Sequence, residues 1–74
     1  MVKLAGISGK KAVKTFEMIG YILDHQTGSH MILYHPHRLP LSIPNHKEVA
    51  EGLLKAQIKR AGITPERFKN LLND

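Results

Sequence analysis

Seventy-four residues, with eleven lysines and arginines against six acids, make a small domain of net charge +5. A chain this short buries only about 60% of its unfolded-state surface, which excludes an enclosed cofactor cavity and puts any site in a surface groove. The absence of cysteine excludes disulfides, thiolate metal sites and a cysteine nucleophile.

The excess charge favours polyanionic partners, and it is unevenly spread. Residues 1–20 carry Lys3, Lys10, Lys11 and Lys14 against Glu17, and residues 21–46 carry Arg38 against Asp24. All five histidines lie in that neutral middle stretch. No apolar run approaches the roughly 20 residues needed to span a bilayer. The N-terminus lacks the apolar core of a signal peptide. The expectation is one cytoplasmic domain over residues 1–74, without a membrane segment.

The spacing predicts a helix from Gly9 to Ile19, capped by Ser8 and stopped by Gly20. Ala12, Val13, Phe16 and Ile19 share one face. Lys10, Lys11 and Lys14 project from the other, where a phosphate backbone can lie along them. From Tyr21 to Gln26 the period changes to that of a strand, and Thr27-Gly28 signals a tight turn. Ser29 to His35 reads as a second strand. Its alternation puts His30, Ile32 and Tyr34 on one face, and Met31, Leu33 and His35 on the other. Leu39, Leu41 and Ile43 alternate with Pro40, Ser42 and Pro44 in a third strand, placed at an edge because Pro40 cannot donate to a ladder. A helix starting near Val49 or Gly52 and ending at Ala61 buries Leu53, Leu54, Ile58 and Ala61, and exposes Lys55, Lys59 and Arg60. Thr64-Pro65-Glu66 restarts a helix over Pro65–Leu72, with Phe68, Leu71 and Leu72 inward. Helices covering one face of a three-stranded antiparallel sheet make an α+β domain.

Histidine is the side chain best suited to proton transfer near neutral pH. His30 follows Gly28 and Ser29 at the start of a strand, where a side chain is held firmly yet exposed. Ser29 and nearby amides are placed to hydrogen-bond a phosphate oxygen. His46, between the third strand and the long helix, and His25, near the same turn, are supporting candidates. His35 and His37 form a loose pair with no acid close in sequence, so no metal site is expected. Gly-rich phosphate loops, nucleophile elbows and zinc-protease motifs are missing. Asp24 is the only acid between Glu17 and Glu48, which disfavours two-metal phosphodiester chemistry. RNA cleavage by its own 2′-hydroxyl needs only a base, an acid and a cation. A surface histidine among lysines fits that demand with no cofactor. A non-catalytic RNA-binding module and a protein-interaction module remain alternatives.

Several segments, in order, resemble the HicA-type (YcfA-like) toxins. They are Ser8-Gly9-Lys10, Ile19-Gly20-Tyr21, Gln26-Thr27-Gly28-Ser29-His30, Ile43-Pro44-Asn45-His46, and then Gly52, Leu54, Ile58, Ala61-Gly62-Ile63 and Phe68. The resemblance implies a double-stranded-RNA-binding-like α-β-β-β-α fold. It implies an mRNA interferase of a type II toxin–antitoxin system that cleaves RNA without metal, with His30 catalytic. It also implies a cognate HicB-type antitoxin that covers the site. Lys10, Lys11, Lys14, Lys55 and Lys59 are the expected RNA-binding cations. Two positions depart from the family pattern: an arginine is common where His25 stands, and a threonine where Leu53 stands. Loss of a permanent cation at position 25 predicts weaker RNA binding, which a protonated His25 offsets in part.

Overall fold

The computed structural model describes residues 2–73. Its elements are α1 (Gly9–Glu17), β1 (Ile22–Thr27), β2 (His30–Tyr34), β3 (Leu41–Pro44), α2 (Glu51–Ala61) and α3 (Pro65–Leu72). The class is the α+β one expected, with a third helix following the α-β-β-β-α series. Ser8 caps α1: its Oγ accepts the Lys11 N–H at 3.1 Å, satisfying a donor that the first turn leaves free. The helix stops at Glu17, short of Ile19, because the Ile19 N–H turns back to the Phe16 carbonyl three residues earlier.

The three strands form one antiparallel sheet in the order β1-β2-β3. The first hairpin turns at Gly28-Ser29, one residue later than Thr27-Gly28. Gly28 sits at φ +60°, the conformation a type II′ turn requires at its first central position. β3 starts at Leu41, two residues later than the alternation suggests.

Pleating divides the sheet as β2 predicts. Met31, Leu33, Leu41 and Ile43 are buried against the helices, while His30 and Tyr34 are exposed on the open face. The helices meet that buried layer with Phe16, Leu54, Ile58 and Phe68, all fully buried. The Phe16 ring lies 5.0 Å from Phe68 and 5.8 Å from Tyr21. Leu53, expected in the α2 stripe, is exposed; Leu54, Ile58 and Ala61 alone face inward. Leu71 and Leu72 are only half-buried.

The sheet's two edges differ. At β3, α2 reaches over the edge: the Ser42 N–H donates to Gln57 Oε1 at 3.1 Å, and Arg60 Nε donates to the Pro40 carbonyl at 2.6 Å. β1 is exposed along its whole length. Its ladder with β2 contains a bulge, since Leu23 pairs with Leu33 but His25 pairs with the very next residue, Ile32. Asp24 is the extra residue.

Candidate functional site

His30 opens the central strand. Thr27 of β1 stands opposite it on one side and Pro44 of β3 on the other. The preceding turn is fixed too, because the Ser29 carbonyl accepts the Asn45 N–H at 2.6 Å. The side chain is nevertheless exposed. Among the described residues, the histidine ring nitrogens that find partners belong to His25 and His35, leaving those of His30 free. A rigid backbone carrying a free imidazole is what proton transfer to a bound polymer needs.

His46 comes to the same end of the sheet by a different route. Its carbonyl accepts the Gly9 N–H at 2.9 Å, which docks the start of α1 against the end of β3. A shallow cleft there is lined by Ser8, Lys10, Asn45, His46 and Lys47. Lys10 also borders a groove between α1 and the hairpin, shared with Lys14, Leu23, Gln26, Met31 and Asn45. Lys11 is exposed on α1 outside both.

The remaining expected cations stand apart. Lys55 and Lys59 line a separate groove with Gly62, Thr64 and Pro65, where α2 turns into α3. Lys55 is also engaged with Glu51 across one helical turn, at 3.5 Å. The lysines therefore form two clusters, one beside the histidine end of the sheet and one away from it.

His25 stands on β1 with Nδ1 2.7 Å from Asp24 Oδ2. His35 has a structural task. Its Nε2 bonds the Ile19 carbonyl at 2.9 Å, and its Nδ1 accepts the His37 N–H at 2.9 Å. Those two bonds assign the proton to Nε2 and tie the end of β2 to the end of α1. Among the described residues no group of three or more histidines and acids is placed to hold a metal ion.

Sequence reasoning missed Asn45, Lys47 and the pairing role of Asp24. Asn45 and Lys47 were within reach of the Pro-Asn-His segment, whose flanks become the cleft wall. Asp24 was visible only as an isolated acid.

The fold is that of a small basic α+β domain, with an exposed histidine at the head of its central strand and two lysines of α1 along a groove against the hairpin. The family model described as HicA toxin of bacterial toxin-antitoxin matches residues 9–63. The chain belongs to that family, and so is a toxin of a toxin–antitoxin pair with a cognate antitoxin as partner. No curated protein matches it. No helix among the described residues is long and apolar enough to cross a membrane.

Proposed function

We propose that the toxin is an endoribonuclease that cleaves mRNA in the cytoplasm without a metal, with His30 transferring a proton at the scissile phosphate. The observation that carries this reading is the setting of His30: paired on both sides at the head of the central strand, exposed, and without a partner at either ring nitrogen among the described residues. Gly28 and Ser29 shape the turn that presents it. Lys10 and Lys14 supply cations beside the same end of the sheet, with Lys11 on the same helix. Lys55 and Lys59 serve a more distant part of the RNA strand. The cognate antitoxin, of HicB type, inhibits by covering this surface.

The test is cleavage of labelled RNA by purified protein in EDTA. Wild type cuts the RNA, and His30→Ala loses about 100-fold or more of the rate with an unchanged melting temperature. Addition of the antitoxin suppresses the wild-type activity. A His30→Ala variant that cuts at the wild-type rate refutes the assignment. RNA binding without scission by the wild type refutes the enzyme reading altogether.

A further inference from the structure

The register of the first hairpin brings a second histidine to the His30 face. Leu23 pairs with Leu33, which is buried against the helices. Strict alternation from Leu23 would send His25 to that same side. The extra residue Asp24 resets the count, so that His25 pairs with Ile32 and Thr27 with His30. His25 thus lies on the open face, its ring 6.4 Å from that of Tyr34. In an antiparallel pair, the residue two along from the direct partner is a diagonal neighbour, about 7–8 Å away. His30 bears that relation to His25. Backbone positions set so far apart let two imidazoles close around one phosphate. Bulges beside functional sites are known for re-aiming a side chain in this way.

Asp24 does more than shift the register. Its carboxylate accepts a hydrogen bond from His25 Nδ1–H, leaving Nε2 with a free lone pair directed away from the contact. The two side chains are 48% and 54% exposed. A pair so open to solvent adds little to stability, so packing does not explain it.

We infer that Asp24 and His25 form the base half of a two-histidine RNA-cleaving site on this sheet, diagonally across the hairpin from His30. The inference rests on the reading of His30 given above. His25 Nε2 takes the 2′-hydroxyl proton as the bond from O2′ to phosphorus forms. His30, protonated, gives its proton to the 5′-oxygen as the bond from phosphorus to that oxygen breaks. One proton is taken and one given; the products are a 2′,3′-cyclic phosphate and a 5′-hydroxyl end. Exchange with water restores both rings. Asp24 is a positioning residue, holding the ring and stabilising the imidazolium that forms.

The experiment compares wild type, His30→Ala, His25→Ala and Asp24→Ala in EDTA. Each meets ordinary RNA and RNA with sulfur replacing the 5′-bridging oxygen at the mapped cleavage site. A thiolate leaves without a proton. His30→Ala, about 100-fold slow on ordinary RNA, therefore regains most of its rate on the sulfur substrate. His25→Ala is about 100-fold slow on both. Asp24→Ala lowers kcat by about tenfold and leaves KM unchanged. Nitrogen-15 NMR finds the Nδ1–H tautomer of His25 in the wild type and the Nε2–H tautomer in Asp24→Ala. Wild-type rates in His25→Ala or Asp24→Ala overturn the dyad while leaving His30 in place. So does sulfur rescue of His25→Ala, or a tautomer unchanged by Asp24→Ala. A wild type that does not cut RNA overturns the His30 reading and the dyad with it.

Discussion

Gly9 shows how much of this site depends on single atoms. A methyl added there would overlap the Pro44 carbonyl oxygen, and backbone on both sides leaves little room to yield. The close approach lets the Gly9 N–H reach the His46 carbonyl. Gly9→Ala should therefore cost about 1–3 kcal/mol, the range for forcing extra volume into a packed contact. At this chain length each kcal/mol lowers the melting temperature by about 4–8 °C. The loss is read by thermal denaturation, and an unchanged melting temperature counts against tight docking of α1 on β3. The helix propensity of alanine works in the opposite direction, so a net loss has to come from the clash.

At the scale of elements, β3 and β1 differ in how their edges are managed. The α2 side chains Gln57 and Arg60 satisfy the β3 edge, a common protection against unwanted strand pairing. Gln57→Ala leaves the Ser42 N–H without that partner and should cost about 0.5–1.5 kcal/mol. Urea unfolding would show this as a lower midpoint at an unchanged slope; a changed slope would mean that the unfolded state was altered instead. Much of this architecture was legible in the residues. Ser8 and Thr64-Pro65 marked helix starts, and the alternation around His30 gave the faces of β2 correctly. The bulge was not legible. Asp24 is extra only because Leu33 and Ile32 stand where they do across the ladder, and pairing register is a non-local property. The same limit hid the exposure of Leu53. Helical spacing allowed it on the apolar stripe, and the packing of α2 against β3 and α3 decided otherwise. The exposed place of His30 at the start of β2 was legible because its turn is local, whereas the face that His25 takes depends on the register of two strands at once.

Across the whole molecule, the core extends beyond the stretch that defines the family. Leu4, Ile7 and Phe68 are buried but lie outside residues 9–63. The N-terminal segment is pinned to the region before and within the first turn of α2. The Leu4 N–H donates to Glu51 Oε2 at 3.2 Å, the Gly6 N–H donates to Glu48 Oε2 at 3.1 Å, and the Val49 N–H donates to the Ile7 carbonyl at 2.8 Å. The bond from Leu4, more than the nearby Lys55 and Lys3, holds the Glu51 carboxyl below the usual glutamate range. A carboxyl lowered in the folded state binds its proton more tightly when unfolded. Its contribution is therefore complete above about pH 4.5, the ordinary glutamate value, and fades as the pH falls through the lower folded-state value. Glu51→Gln should flatten that part of the stability curve, measured by urea unfolding between neutral and acid pH. An equally steep acid loss in the variant would assign the effect to other carboxyls.

β1 is exposed along its whole length and paired along one edge only, and it gives no fully buried residue to the core. Strands of that kind open locally at a lower free energy than global unfolding. His25 and Asp24 ride on it, while His30 stays with the central strand. Warming should thus separate two properties that usually disappear together. RNA cleavage should fail several degrees before the helices melt, and the failure should reverse on cooling. Amide exchange of β1 in the intact protein should run ahead of that of β2. An activity loss that coincides with the circular-dichroism transition would mean that the hairpin opens only with the whole fold. In the expected case the toxin carries its own thermal cut-off, set by one frayed strand while the rest of the domain remains folded.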